Sequence, residues 1–328
     1  MIVLSQAYGT DSPDVSVIIP TYNRISMLEE ALVSVLYQDF DGVVEIIVVD
    51  DNSSDGTSEI VSQKYPNIRL ISLKHNVGAY VARNLALKEA RGKYIAFLDS
   101  DDLWETNHLK TQLAALEDNE RCFCVSGLVI WNTVKDRKNT ILQKPNLKRY
   151  TSPLHQLLVN FSFIHTPSSV VFPRQIFSEV GLFDETYRIS GDNDFYIRCL
   201  LADYNPIFTE LPTAIFRVHD RGRMTNIKNL EIRIKIKLAR AEQFYPLVEK
   251  CTDIVPIEQI YAEIYANYAS SYFRHKNFQQ WLSLSIESAR HANFFYALSS
   301  MIYDIRGLLK IGTKMRIIKS YLKNSLPI

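Results

Sequence analysis

The apolar positions of this chain fall into short unbroken runs that alternate with longer periodic ones. Val15 to Ile19, "VSVII", is a compact β-branched run closed by Pro20 and the polar "TYNR", the pattern of a buried strand and its turn. Met27, Leu28, Ala31, Leu32, Val35 and Leu36 then recur at the spacing of one helix face and predict a helix over about 26–38. "EIIVVDD" predicts a second buried strand, and "NSSDGT" behind it supplies the turn and N-cap residues of another helix. "IRLISL" is a third strand, "AYVARNLALKEARG" a helix that stops at Gly92, and "KYIAFLD" a fourth strand. Strands apolar throughout and separated by helices predict an α/β domain built on a mostly parallel central sheet, covered on both faces.

Beyond Trp104 the alternation continues less regularly. "CFCVSGLVIW" and "SSVVFP" predict strands, 154–160 and "FYIRCLL" short helices, and 136–149 a polar loop. After about Met224 no strand candidate appears, and 229–250, 256–275, 277–292 and 294–325 are helical by period. One piece, "YANYASSYFRHKNFQQWLSLSIESARHANFF", resembles a single helical hairpin of the tetratricopeptide type; with no second copy it reads as an all-helical C-terminal appendage. The expected division is a leader over 1–13, an α/β domain over 14–224 and a helical region over 225–328.

Composition adds limits. The 328 residues are 47% hydrophobic and 22% charged, ordinary for a soluble globular chain. No apolar run approaches the ~18 residues of a spanning helix. The start lacks a basic n-region, so no signal peptide is expected. Cys122, Cys124, Cys199 and Cys251 show no metal-ligand spacing. Cys122 and Cys124 read as alternate positions of a strand, and the expected setting is a reducing cytoplasm. A net charge of +1 gives no sign of a nucleic-acid partner, but its distribution is uneven. Residues 221–328 hold 17 Lys and Arg against 8 Asp and Glu, and the rest 20 against 28. Either the two halves have different partners or two solvated faces differ in charge. The last stretch, "MIYDIRGLLKIGTKMRIIKSYLKNSLPI", mixes apolar residues with Arg306, Lys310, Lys314, Arg316, Lys319 and Lys323. It suits a basic helix lying on an anionic membrane surface, a helix packed on the catalytic domain, or a surface for self-association.

The polar residues gather where α/β sheets bind ligands, at the carboxyl ends of the strands. Pro20-Thr21-Tyr22, Asp50-Asp51 and Asp99-Ser100-Asp101 all fall there. Strand periodicity of two places Asp99 and Asp101 on one side and Asp102 on the other. Carboxylates so close repel one another. Two oxygen donors with positions left for water and phosphate suit Mg²⁺ or Mn²⁺ bound with a diphosphate; the competing role is an N-cap for "LWETNHLK" by Asp101 or Asp102. Other readings fail on spacing. Asp51, Ser53, Asp55 and Gly56 match the first half of an EF-hand, but the twelfth position is Ser62 and a strand precedes the loop. Neither G-x-G-x-x-G nor G-x-x-x-x-G-K-[ST] occurs, which excludes a dinucleotide turn and a P-loop.

"VSVIIPTYNR", "EIIVVDDNSSDGT", "NVGAYVARNLAL", "KYIAFLDSDD", "GLFDE" and "GDNDFYIR" stand in the order and spacing seen in family 2 inverting glycosyltransferases, which the chain resembles over about 14–220. The resemblance implies the GT-A nucleotide-diphosphosugar transferase fold. It also implies transfer from a nucleotide-diphosphosugar, a UDP-sugar, to a hydroxyl of a glycan or lipid-linked acceptor in surface polysaccharide synthesis. The lack of a processive-synthase signature and of spanning helices makes the expected transfer non-processive. By it Pro20, Thr21 and Tyr22 line the base, Asp51 accepts from the uracil ring, and Arg83 sits near base and phosphates unless it pairs with Glu89 or solvent. Asp99 and Asp101 match a DxD pair, with Asp101 as direct metal ligand, Asp99 nearer the ribose and Ser100 between them. His219 lies where relatives place a histidine near the diphosphate or metal, and Trp104 either walls the sugar pocket or belongs to the core. Asp192 aligns with the catalytic base, its competing role being a helix N-cap, and many relatives have Glu where this chain has Gly191. The Q-x-x-R-W signature of processive synthases is absent. A sugar-phosphate nucleotidyltransferase would want a Gly-rich basic loop in place of "PTYNR", and a degenerate scaffold would not need Asp99, Asp101 and Asp192 intact.

Overall fold

The computed structural model describes residues 3–4, 12–159, 162–219, 229–292 and 301–302. Strand β2 (Val15–Thr21) buries all seven of its residues. It does so because it pairs in parallel with β3 (Val43–Asp50) on one side and β5 (Tyr94–Phe97) on the other. β1 (Val3–Leu4) and β4 (Arg69–Ser72) both add to β3 in parallel. Beyond β5 the sheet is mixed. β9 (Val170–Pro173) runs antiparallel to β5 and to β7 (Cys122–Asn132), and β7 runs parallel to β10 (Asn205–Val218). β6 (Leu103–Trp104) pairs with β10 and β8 (Arg137–Ile141) with β7, both antiparallel. The order across the ten-stranded sheet is β1-β3-β2-β5-β9-β7-β10-β6, with β4 attached to β3 and β8 to β7.

Four strands correct the sequence reading. β1 lies in the expected leader, and β6 lies in "LWETNHLK", whose helix begins only at His108 with Asn107 as N-cap. β8 occupies the expected polar loop; its residues Arg137 to Thr140 are exposed, and its backbone pairing with β7 is joined by Lys138 over the Trp131 ring, 4.8 Å from the centroid. β10 escaped notice because Pro206 and Pro212 break its apolar run. Its register against β7 shifts between Phe208 and Pro212 and again between Pro212 and Ala214, the irregularity a proline forces on a ladder.

Helices α1 (Ile25–Leu36), α2 (Thr57–Lys64), α3 (Ala79–Glu89) and α4 (His108–Leu116) cover this sheet. Alternation along the strands sends Val15, Val17, Ile19, Val44, Ile46 and Val48 into one core with Leu28, Ala31, Leu32 and Val35 of α1 and Leu109, Leu113 and Leu116 of α4. Helix α3 packs on β2 and β3. Further along come α5 (Pro153–Val159), α6 (Ile176–Glu179) and α7 (Gly191–Leu201). Trp104 is a core residue: it is buried, and its indole N–H donates to the Ser168 carbonyl at 2.6 Å.

Trp104 stacks on His108 at 4.3 Å between centroids. His108 is fully buried, with Nδ1 2.8 Å from Thr213 Oγ1 and Nε2 2.8 Å from the Gln112 amide. Burial pushes its imidazole down from 6.5 to about 3. In the window between those values the unfolded chain binds a proton that the folded chain refuses, so stability present above pH 6.5 drains away as pH falls. The expected slope from this one group is about 1.4 kcal/mol per pH unit. Urea titrations at pH 7, 6, 5 and 4 should show a shallower acid loss for His108→Gln than for the parent; equal slopes would remove His108 from the account.

The chain divides into two compact units. One comprises Met1–Leu157, Phe161–Met224 and Leu247–Asp253, and the other Leu158–Asn160, Thr225–Pro246 and Ile254–Ile328. In the second unit α9 (Ile257–Arg274) and α10 (Phe278–His291) form a hairpin. Asn277 caps α10 by accepting from the Gln280 N–H, and Phe273 packs on Phe278 and Trp281. α8 (Leu230–Cys251) carries Pro246 inside it, and the unit boundary falls at that interruption of the hydrogen-bond ladder. Of the helix expected over 294–325, only 301–302 lie within the described residues, and they are helical. No helix among the described residues is long and apolar enough to cross a membrane.

Candidate active site

The loops after β2 and β3 are stapled together. The Asn23 N–H donates to Ser53 Oγ at 2.8 Å, and the Ser54 N–H to Asn23 Oδ1 at 2.7 Å. Asp55 accepts from the Ile25 N–H at 3.0 Å, satisfying a first-turn donor of α1. Pro20 and Thr21 end β2 and are buried, whereas Tyr22 presents its ring to solvent at 46% exposure. The buried Thr21 hydroxyl has no hydrogen-bond partner among the described residues.

The two aspartates after β3 do different work. Asp50 is a turn residue, taking the Ser53 N–H at 3.0 Å and the Ser58 hydroxyl at 2.5 Å. Asp51 reaches forward: Oδ1 accepts the Val77 N–H at 2.7 Å and Oδ2 the Gly78 N–H at 2.8 Å. Gly78 holds φ +93°, and a Cβ there would lie 2.6 Å from Arg188 Nη1. Asp51 thus fixes the start of α3, and each carboxylate oxygen keeps a second lone pair.

Helix α3 points Tyr80, Arg83 and Asn84 inward, all three buried. Arg83 pairs with Asp99 through Nη2 and Oδ1, so its partner is neither Glu89, which Arg69 engages, nor solvent. Its guanidinium carbon lies 5.4 Å from the Tyr80 ring centre and 5.9 Å from that of Phe97, within reach of a cation–π attraction. Asn84 clamps the 183–185 turn, donating to the Phe183 carbonyl and Glu185 and accepting the Phe183 N–H.

The run of like charges after β5 is resolved residue by residue. Burial raises the Asp99 carboxyl above its ordinary range, the opposing pull of Arg83 notwithstanding, and Asp101 adds to the rise. Asp101 Oδ2 receives Arg24 Nη1 at 2.7 Å and lies 3.0 Å from His219 Nε2. Asp102 is buried and structural: its carboxylate takes the Ser168 hydroxyl at 2.7 Å, the Thr166 hydroxyl at 3.0 Å and the Arg217 N–H at 3.1 Å. Burial, with Asp101 and Asp99 nearby, lifts the Asp102 carboxyl well above the usual range. Arg217 continues the brace, donating from Nε to the Asp101 carbonyl and pairing through Nη1 with Glu30. Ser100 is buried between the two acids.

Asp192 sits in the first turn of α7 and is not its N-cap, a place held by Ser190 at φ +60°. Tyr80 Oη lies 3.3 Å from Asp192 Oδ1, and Oδ2 has no partner among the described residues. Asp194 is tied down instead. It pairs with Arg198 at 2.9 Å, and Arg198 reaches the Val180 and Leu182 carbonyls.

No group of three acidic, histidine or cysteine side chains that could hold a metal gathers among the described residues. Two side chains do meet, Asp101 and His219, and Asp101 Oδ1 makes no hydrogen bond among the described residues. A carboxylate and an imidazole, with coordination left for phosphate oxygens and water, fit Mn²⁺ or Mg²⁺. The sequence reading had named Asp99, Asp101, Arg83, His219 and Asp192 but not Arg24, Arg217 or Tyr80. Arg24 lay in the quoted "TYNR", yet only the fold puts it on Asp101.

The sequence model of "Glycosyl transferase family 2" matches residues 16–181, half of the chain. The chain belongs to glycosyl transferase family 2. One relative of this family 2 chain, named as a teichuronic acid biosynthesis glycosyltransferase, TuaG of Bacillus subtilis (strain 168), is 43% identical over 118 residues. Another, UDP-Glc:alpha-D-GlcNAc-diphosphoundecaprenol beta-1,3-glucosyltransferase WfaP of Escherichia coli, is 42% identical over 118 residues. Each alignment covers 35% of this chain and 46% of the relative, so this family 2 chain spans less than half the length of either. The crystal structure of S. aureus TarS 1-349 in complex with UDP-GlcNAc superposes with a TM-score of 0.61 at 20% identity, covering 89% of both chains. The fold of this family 2 member is therefore GT-A, with helices following it in the C-terminal region.

Proposed function

We propose that this protein is an inverting, metal-dependent, non-processive glycosyltransferase. It moves a sugar from a UDP-sugar to a hydroxyl of a lipid-linked saccharide during synthesis of a surface glycan. The observation that carries this reading is the meeting of Arg83 with Asp99 and of Asp101 with His219 at one sheet end, while the same helix α3 reaches Asp192 through Tyr80. The donor class and acceptor follow the relatives: WfaP is named for a UDP-glucose donor and a diphosphoundecaprenol-linked acceptor, and the TarS complex holds UDP-GlcNAc.

In this mechanism the base lies against Pro20, Thr21, Tyr22 and Asp51, the ribose toward Asp99, and the diphosphate toward Ser100 and Asp101. Asp101 and His219 would hold the cation, which supplies positive charge to the leaving diphosphate. Arg83 and Arg24 supply fixed positive charge on the same side. Asp192 accepts the proton of the acceptor hydroxyl as that oxygen bonds to the anomeric carbon and the bond to UDP breaks, so one displacement inverts the centre.

Thermal shift with UDP-glucose and UDP-N-acetylglucosamine, in Mn²⁺ and in EDTA, tests the assignment. Stabilisation by a ligand at about 100 times its Kd is about 2.7 kcal/mol, and most of it should vanish on chelation. A shift that survives EDTA unchanged would remove Asp101 and His219 from metal duty. No shift with either nucleotide-sugar would sink the donor assignment.

A further inference from the structure

Tyr80 is a buried phenol that no step above uses, and its hydrogen bonds are directional. Oη accepts the Gly191 N–H at 2.8 Å, which leaves its own proton to point at Asp192 Oδ1, 3.3 Å away. Gly191 opens α7, and Ser190 before it makes no side-chain cap. The phenol therefore satisfies a first-turn donor that a helix start normally leaves open. Gly191 fits closely against the ring: an added Cβ would stand 3.0 Å from Tyr80 Cε2 and 3.0 Å from Tyr187 Cβ, so the ring would have to give by a few tenths of an ångström. The ring itself is held, 5.8 Å from Phe183 and under the Arg83 guanidinium. Burial raises the Tyr80 hydroxyl far above its ordinary range, so it stays a neutral donor throughout the working pH range.

We infer that Tyr80 is a positioning residue for Asp192: it fixes the rotamer by bonding Oδ1 and leaves Oδ2 directed at the acceptor hydroxyl. This rests on Asp192 being the base. The 3.3 Å separation is longer than a settled O–H···O bond, as hydrogen bonds at catalytic groups often are before substrate arrives. A phenol seated on the backbone of the base's own helix holds that approach in place without help from a loop. Losing it leaves Asp192 to sample other rotamers, and misplacement by about 1 Å costs on the order of 10²-fold in rate.

The test is turnover of UDP-glucose and UDP-N-acetylglucosamine, with water as acceptor, by the full chain and four variants. Tyr80→Phe should lower kcat about 10- to 100-fold while the donor KM stays within about twofold. Asp192→Asn should be nearly inactive, and adding Tyr80→Phe to it should cost nothing further, because both act through one group. Gly191→Ala keeps the phenol but crowds its ring, so it should also lose kcat and spare KM, which covers the case of a Tyr80→Phe protein that does not fold. A folded Tyr80→Phe enzyme with parental kcat, a change in KM alone, or an additive loss in the double variant would overturn the inference. An active Asp192→Asn, or a parent inert towards both donors, would instead sink the reading beneath it.

Discussion

Asparagine in place of Asp192 should abolish sugar transfer, lowering kcat by about 10³-fold or more, the scale of losing a general base, with UDP affinity within about twofold of the parent. The two effects separate because Asp192 lies on α7, remote in sequence from the strand ends proposed to take the nucleotide, and its side chain hydrogen-bonds to α3 through Tyr80. Asparagine preserves shape and an acceptor oxygen towards the phenol but cannot take up the acceptor's proton. Calorimetry with UDP and Mn²⁺ alongside a turnover assay distinguishes the outcomes. Lost UDP binding would make Asp192 structural, and retained transfer would leave the reaction without its base.

Adjacent acids should fail in opposite ways. Asp101→Ala is expected to leave thermal stability nearly unchanged and to remove the Mn²⁺-dependent part of UDP binding. Its carboxylate is partly exposed, and its partners Arg24 and His219 stay otherwise bonded. Asp102→Ala should cost about 3 kcal/mol of stability, since it removes the acceptor of the Ser168 hydroxyl and the Arg217 N–H in a buried site. Urea unfolding and UDP calorimetry on the two variants decide between these fates. If both lose stability alike, Asp101 is part of the brace and the cation must be held elsewhere.

Much of this was readable in the chain itself. Val15 to Ile19, Glu45 to Val49 and Tyr94 to Phe97 advertise themselves because strands buried in the middle of a sheet are apolar on both faces, and acids follow closely at the ends of the last two. The site residues named from sequence were those next to such strands or inside a recognisable motif. What escaped was set by packing rather than by local pattern. Arg217 looks in sequence like any surface cation, yet it is buried and bridges the Asp101 carbonyl, the Asp102 carboxylate and Glu30. Tyr80 looks like a core aromatic, and only the approach of Gly191, 111 residues later, gives its hydroxyl a purpose. Pro206 and Pro212 hid β10, because the features that disrupt a ladder also erase its signature in sequence.

In the proposed mechanism helix α3 contributes Arg83 to the donor side and Tyr80 to the acceptor side, nearly one turn apart on a rod whose origin Asp51 pins. The offset between the two side chains is then gauged by three residues of helix, about 4.5 Å of axial rise. Such a ruler does not stretch when surrounding loops diverge. New sugars and new acceptors can be fitted around it, while that offset stays constant.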